Sequence, residues 1–310
     1  MKKILFASTA LVAASVAGAS MASEPLSASL HGYMHVGLIY QDNNNDPDLG
    51  VLNDGEIHFR FRGVSDNGLT FSGKVELESF TTGDQIDEYW TSVSGSFGSI
   101  GIGADDSAAD WSDKGVIYGP GAHAAYFDGF YSILFSRNGS GDDPSIRYTS
   151  PNFSGFQIAA DWAPDDTADP GNQQITFGNN QQRWSIGAIY DGSFSGFDIG
   201  IGGSYLDGDL YVDPIYAVGV DIGWSGFQVS AHYENDSIND PVAIGASYKT
   251  GPWTFGGGVS FATNGPDLTN WGVWAAYSIM PGATATLSYE GNDRNAGYNT
   301  TVLGYLSLSF

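Results

Sequence analysis

Alternation of apolar and polar residues with a period of two is the feature that most restricts the fold of this chain. It runs from Leu30 to Phe310, and no helical periodicity competes with it. In GEIHFRFRGVS (residues 55–65), apolar side chains at positions 57, 59 and 61 alternate with basic ones at positions 58, 60 and 62. Such segments are typical of β-strands with one apolar and one polar face. The sequence therefore predicts an all-β fold.

The composition of the two faces distinguishes a membrane barrel from a soluble sandwich or propeller. One face is aliphatic and aromatic, whereas the other consists of Gly, Ser, Thr and charged residues. Two packed layers of a soluble β-protein need bulky apolar residues on their facing sides, and the second face cannot supply them. A barrel with its apolar face in lipid and its polar face around a lumen fits both faces. We therefore expect an antiparallel transmembrane β-barrel.

The connections between the alternating segments are of two kinds, which follow each other strictly. Tight Gly, Pro and Asn turns lie at residues 65–68, 97–99, 151–155, 192–196, 224–226, 250–252 and 281–282. Longer polar loops lie at residues 42–53, 81–87, 105–143, 164–181, 207–212, 236–240, 263–269 and 291–298. Fifteen connections predict sixteen strands with both termini on the side of the short turns. The apolar stretch FYSILF (130–135) would make the strand count odd, so we assign it to the long insert 105–143.

The two ends of the chain support export and barrel closure. Residues 1–22 have two lysines, an apolar stretch and small residues before Ala22, which is the layout of a secretory signal peptide. We expect cleavage after Ala22, or alternatively after Ala19, and a single barrel domain over residues 23–310. No other apolar run could span a bilayer as a helix. The last strand, ending in Phe310, should pair with the first strand and place Phe310 in the periplasmic aromatic girdle.

The charge of the chain excludes some partners and functions. Without residues 1–22, it has 9 Lys and Arg against 35 Asp and Glu, a net charge of −26. Nucleic-acid binding requires basic patches, so nucleic acid is not an expected partner. The 18 Phe, 17 Tyr and 8 Trp residues argue against a disordered acidic chain. Cysteine is absent, so no disulfide bond stabilises the fold.

The C-terminal strand ending in Phe310, the sixteen strands and the segment SGSFGSIGIGADDSAADW together resemble the general diffusion porins of Gram-negative bacteria, alphaproteobacterial type. The resemblance implies a homotrimer of water-filled barrels in the outer membrane, in contact with its lipid. It also implies that the third long loop folds into the lumen and forms a constriction with the wall. The implied acidic loop residues are Asp105, Asp106, Asp110 and Asp113. The implied basic wall residues are Arg60, Arg62, Lys74 and Arg147, which His31 and His35 could join.

The inward faces agree with this assignment, because charged side chains would be costly in lipid. Gly101 and Gly103 also alternate with isoleucines just before the insert, and we expect them to leave room for a loop against the wall.

These observations predict an outer-membrane channel for passive diffusion of ions and small hydrophilic solutes. Acidic loops at the mouth favour moderate cation selectivity. A substrate-specific channel and a structural or binding barrel remain the alternatives. A hydrolase would need a Ser–His pair with an orienting group, and we assign no catalytic residue. We also predict no metal site and no cofactor, with at most loosely bound divalent cations at acidic loops such as Asp42–Gly50.

Overall fold

The computed structural model describes residues 23–42, 48–79, 85–115, 143–165, 181–235, 240–264, 269–294 and 297–310. It is a closed barrel of sixteen antiparallel strands in which each strand pairs with its neighbours in the sequence. This confirms the predicted fold class. The strands are β1 (Glu24–Asp42), β2 (Asp48–Val64), β3 (Thr70–Glu78), β4 (Ile86–Gly95), β5 (Gly98–Ala104), β6 (Pro144–Thr149), β7 (Phe156–Ala163), β8 (Arg183–Phe194), β9 (Phe197–Gly208), β10 (Ile215–Trp224), β11 (Phe227–Asn235), β12 (Pro241–Thr250), β13 (Trp253–Ala262), β14 (Thr269–Met280), β15 (Ala283–Arg294) and β16 (Gly297–Ser309).

Pairing between β1 and β16 closes the barrel. The register runs from Tyr33 opposite Ser309 to Asp42 opposite Thr300. Beyond it, the Gly32 N–H donates to the Phe310 carbonyl over 3.1 Å, and the Phe310 N–H donates to the Gly32 carbonyl over 3.0 Å. The last residue therefore belongs to the sheet, and the strand edge that an open sheet would expose is paired here.

The two faces of each strand have the exposure that the alternation predicts. On β11, Phe227 and Val229 point outward and are 51% and 52% exposed, whereas the inward Ser230 and His232 are 1% and 3% exposed. Outward aromatic rings also stack from strand to strand near the short turns, for example Phe227 on Tyr248 with ring centroids 4.3 Å apart. The apolar residues thus form the outer surface, and the polar residues line the interior.

Ser-Gly pairs account for several of the short turns. Ser195 and Gly196 have φ values of 51° and 85°, and Ser225 and Gly226 have 48° and 88°. Two successive residues with positive φ are the requirement of the type I′ hairpin turn, whose twist matches that of the flanking strands. The recurring SG dipeptide of the sequence therefore marks two-residue hairpins.

Some predicted boundaries were wrong. Strands β1 and β2 occupy most of the predicted loop 42–53, and β15 and β16 leave only residues 295–296 of the predicted loop 291–298. The remaining departure is a short helix, α1 (Ala108–Trp111), in the long insert. The hydroxyl of Ser107 caps it by accepting from the Asp110 N–H over 3.1 Å. No helix among the described residues is long and apolar enough to cross a membrane. The predicted signal peptide and the FYSILF stretch lie outside the described residues.

Candidate functional site

Residues 105–115, which we call the inner segment, follow β5 and lie against the inner wall of the barrel. The N–H groups of Ala108 and Ala109 donate to Asp161 Oδ1 on β7 and to Ser185 Oγ on β8, over 2.7 and 3.0 Å. Asp161 and Ser185 are both at inward positions of their strands. Since α1 also packs on β7, β8 and β9, the first half of the inner segment is held inside the lumen.

Hydrogen bonds to more distant strands hold the other end of the inner segment. The Gly115 N–H donates to Asp221 Oδ2 on β10 over 3.0 Å. The ring Nδ1 of His232 on β11 lies 2.7 Å from the Lys114 carbonyl oxygen, and Lys114 Nζ lies 2.8 Å from Asp191 Oδ1 on β8. The inner segment therefore crosses five consecutive strands, β7 to β11, and narrows the lumen on that side.

Three inward glycines let the backbone of the inner segment approach the wall. A Cβ atom on Gly187, Gly202 or Gly219 would lie 2.1, 2.0 or 1.7 Å from the carbonyl oxygen of Ala108, Ser112 or Lys114, respectively. Any side chain at these positions would push the inner segment away. The wall of β8, β9 and β10 is thus shaped to receive a peptide backbone.

Gly101 has open space beside it. Among the described residues, a Cβ atom there would have no neighbour closer than 3.9 Å, and Gly101 lines a recess together with Asp105 and Arg147. The expected approach of the insert to Gly101 stays a prediction, because residues 116–142 lie outside the described residues. Gly103 has a φ of 145°, and its Cβ atom would lie 2.2 Å from the Tyr89 carbonyl oxygen of the neighbouring strand. The sheet itself, rather than the insert, therefore requires glycine at position 103.

A buried ionic group supports the docking point of α1. Arg183 is fully buried, and its Nη1 donates to Asp161 Oδ2 over 2.9 Å, while its Nε lies 3.7 Å from Asp143 Oδ2. The hydroxyl of Ser185 also donates to Asp161. Buried charges are tolerated when they are paired and hydrogen-bonded, as both carboxylate oxygens of Asp161 are here. Asp161 is consequently a fixed acceptor for the inner segment.

The predicted acidic loop residues have different surroundings. The Asp105 carboxylate pairs with Arg147 Nη2, and Arg147 Nη1 donates to the Asp106 carbonyl over 2.6 Å. Asp110 accepts the Ser107 hydroxyl over 2.9 Å, and its carbonyl accepts the Asp113 N–H over 2.9 Å. The structure thus brings Arg147 together with Asp105 and Asp106, whereas Asp110 and Asp113 lie in and after α1.

Burial and neighbouring charges alter the ionisation of this acidic stretch. Although the Asp106 side chain faces the open lumen, its reduced access to bulk water raises its pKa to about 6, with further contributions from Asp110 and Asp105. Burial likewise raises the pKa of Asp105, against the opposing effect of Arg147. Part of the negative charge of the inner segment therefore depends on pH near neutrality.

Among the three predicted bases of β2 and β3, Arg60 and Lys74 lie directly opposite each other, and each of the three has contacts of its own. Lys74 Nζ lies 2.8 Å from Glu76 Oε1 and also pairs with Glu88. Arg62 Nη1 lies 3.2 Å from Glu24 Oε2, and both side chains are exposed. Arg60 Nη2 lies 3.3 Å from His58 Nδ1, and Arg60 has no ion pair with any described residue.

The wall around these bases is itself acidic. Inward positions of β2, β3 and β4 carry five carboxylates beside the three bases: Asp54, Glu56, Glu76, Glu78 and Glu88. Carboxylates are therefore interspersed with the bases on this part of the wall. The arrangement is a polar lumen, narrowed by a docked segment, in which most bases already have carboxylate partners.

Sequence reasoning missed several residues that position the inner segment: Lys114, Asp161, Arg183, Gly187, Gly202, Gly219, Asp221 and His232. For the residues of this set that lie on strands, the alternation predicts an inward-facing side chain. Many other acidic residues and glycines have the same position in the pattern. Only the crossing of five strands by one segment singles them out.

Comparison with known proteins agrees with this geometry. A family model described as Gram-negative porin matches residues 7–297. Variants of the porin of Rhodopseudomonas blastica are similar in structure: two match with TM-scores of 0.69 and 0.68 at 18% and 19% identity. A third, a triple mutant, matches with a TM-score of 0.67 at 18% identity. Each match covers 92% of this chain and 100% of the other. No curated protein sequence matches the chain.

Proposed function

The chain belongs to the Gram-negative porin family, and we propose that it forms an outer-membrane channel for ions and small hydrophilic solutes, with a moderate preference for cations. The observation that carries the proposal is the inner segment, which docks on β7 to β11 through Asp161 and Asp221 inside a closed polar barrel. A docked segment of this kind narrows the lumen and limits the size of the solutes that can pass. It differs in this from a plug domain, which would close the lumen. No catalytic step or cofactor is part of the proposal.

The cation preference rests on how the charges are paired. Arg147, Lys74 and Lys114 each contact a carboxylate, which leaves little positive potential at these positions. The acids outnumber the bases in the whole chain, 35 to 11. Because like-charged groups around a pore concentrate counterions, the excess of carboxylates attracts cations and repels anions.

The homotrimer that the resemblance implies would use one side of the barrel, and the distribution of tryptophan favours one choice. The four exposed tryptophans, Trp162, Trp184, Trp224 and Trp253, lie on β7, β8, β10 and β13. Strands β16 and β1 to β6 present no exposed tryptophan among the described residues, although their outward faces carry Leu30, Phe59 and Ile102. Tryptophan is enriched where a barrel meets the membrane interface. We therefore place the contact between subunits on the side formed by β16 and the first strands.

A substrate-specific channel is the second candidate, and swelling of liposomes separates the two. Proteoliposomes with the full chain would be placed in isosmotic solutions of sugars of increasing size. A general channel predicts rates that fall smoothly with solute size. A rate that saturates with one sugar would favour a specific channel, and no swelling with any sugar would contradict the proposed function.

A further inference from the structure

A histidine and two glutamates form a compact cluster on the lumen wall, on strands that the inner segment does not cross. His58 Nε2 lies 2.7 Å from Glu56 Oε2, and His58 Nδ1 lies 3.0 Å from Glu76 Oε1. One donor atom from each of these residues lies within 4.8 Å of the other two. The strand geometry explains the cluster, because Glu56 and His58 are two residues apart on β2 and Glu76 is directly opposite His58 on β3.

His58 contacts one carboxylate through each of its ring nitrogens. A neutral imidazole carries a single N–H, so the second contact needs either a second proton on the ring or a cation between the ring nitrogen and the carboxylate. The neighbouring bases lie toward Nδ1: Lys74 Nζ is 2.8 Å from Glu76 Oε1, and Arg60 Nη2 is 3.3 Å from Nδ1 itself. The Nε2 side faces Glu56, whose other oxygen accepts the Tyr33 hydroxyl over 2.7 Å.

Glu56 also belongs to a second group of carboxylates. One oxygen each of Glu56, Glu78 and Asp87 lies within 4.8 Å of the other two, so Glu56 is shared between two groups of donors. The two groups together concentrate carboxylates on this part of the lumen wall. A divalent cation at this position would neutralise several carboxylates together.

We propose that Glu56, His58 and Glu76 bind a divalent transition metal of the Zn²⁺ type on the lumen wall. Imidazole nitrogen and carboxylate oxygen are the donor set of Zn²⁺ sites, whereas Ca²⁺ takes six to eight oxygens. A fourth donor is available in His31, which lies on β1 directly opposite His58 of β2. The Nε2 atom of His31 forms a hydrogen bond with the Ser29 hydroxyl over 3.0 Å. Directly opposed residues have Cβ atoms about 5 Å apart, so rotation of the His31 side chain brings its ring to the cluster.

A metal ion at this site has a direct consequence for permeation. It would add positive charge to a lumen wall whose carboxylates attract cations, and it would occupy space beside the path of the ions. Zn²⁺ is therefore expected to reduce the K⁺ current through the channel. The inference stands apart from the proposed selectivity, because a channel that binds no Zn²⁺ would still conduct.

The test is calorimetric titration of the purified full chain in detergent with ZnCl₂ and, separately, with CaCl₂. We expect saturable Zn²⁺ binding and at least about a tenfold loss of affinity in His58→Gln and in Glu56→Gln. The matched control is His35→Gln, because His35 lies on the neighbouring strand, pairs with Asp54 over 3.0 Å and is outside the cluster. Its Zn²⁺ affinity should equal that of the wild type.

Bilayer recordings supply a second readout that also reports folding of the variants. Zn²⁺ should lower the K⁺ current of the wild type and of His35→Gln, and leave that of His58→Gln unchanged. Absence of saturable binding would overturn the inference. Equal Zn²⁺ binding by wild type and His58→Gln, or equal affinity for Ca²⁺ and Zn²⁺, would instead identify general accumulation of counterions and would overturn it as well.

Discussion

Replacing Gly219 by alanine tests whether close contact with the wall positions the inner segment. The new Cβ atom would lie 1.7 Å from the Lys114 carbonyl oxygen, whereas such contacts essentially never fall below 3.0 Å. The backbone at Lys114 must therefore move by roughly 1.3 Å, and since the wall is a hydrogen-bonded sheet, it moves toward the lumen. The Gly115 N–H, now 3.0 Å from Asp221 Oδ2, would lose its acceptor.

The energetic effect follows from the contacts that are lost. A hydrogen bond to a carboxylate contributes about 1.5–3 kcal/mol, and the contact of His232 with the Lys114 carbonyl contributes about 0.5–1.5 kcal/mol. Together they amount to roughly 2–4.5 kcal/mol, which lowers the preference for the docked position by about 30- to 1,600-fold. We expect a smaller main conductance, because the segment moves inward, and additional current levels as it undocks.

Single-channel recording in planar bilayers measures both effects. Gly101→Ala is the matched control, because it is also an inward glycine near the insert and its Cβ atom would have no neighbour closer than 3.9 Å in the described part of the chain. Its conductance should equal that of the wild type, and both variants should show the heat-modifiable migration of folded barrels. A single, unchanged conductance level in Gly219→Ala would refute the proposed contact between the inner segment and β10.

Three further predictions concern ionic contacts, pH and closure. Asp161→Asn should lower the free energy of unfolding by about 3–5 kcal/mol, because the buried Arg183 loses the carboxylate to which its Nη1 donates over 2.9 Å. Denaturant titration of the refolded barrel would measure the loss, and a value under 1 kcal/mol would contradict the assignment. Because the pKa of Asp106 is raised to about 6, its negative charge is present above that pH and lost below it. Cation preference should therefore fall between about pH 7 and 5 in wild type and fall less in Asp106→Asn, as reversal potentials would report. An equal fall in both proteins would contradict the role of Asp106. Deletion of Phe310, which pairs with Gly32, should reduce the yield of heat-modifiable barrel without reducing export; wild-type yield would contradict a role in closure.

The strand pattern was predictable because a two-residue period assigns each side chain to one face of the sheet. Sixteen strands and their closure followed from the alternation of turn types. The limits of the first and last long loops were not predictable, since polar residues such as Asp48 and Asn292 pair in a ladder as well as they form loops. The local sequence shows only that these residues are polar. Whether they form a strand or a loop depends on whether a neighbouring strand offers backbone hydrogen bonds.

The contact partners of the inward charged residues could not be predicted from the sequence, for a related reason. Alternation places Lys74 and Arg147 in the lumen, but it does not reveal that Lys74 meets Glu88 or that Arg147 meets Asp105. Those contacts depend on strand register and on the path of the inner segment. The same holds for Asp161, which looks like any inward acid until Arg183 and the N–H of Ala108 converge on it.

The reversal potential across a planar bilayer under a KCl gradient measures whether the pairing of the bases with carboxylates leaves the lumen selective for cations. At low ionic strength we expect a potential that indicates K⁺ preference, which decreases as added salt screens the carboxylates. Arg60→Ser should increase the preference more than Arg62→Ser, because Arg60 has no ion pair with a described residue whereas Arg62 contacts Glu24. A wild-type potential that indicates Cl⁻ preference at low ionic strength would contradict the account.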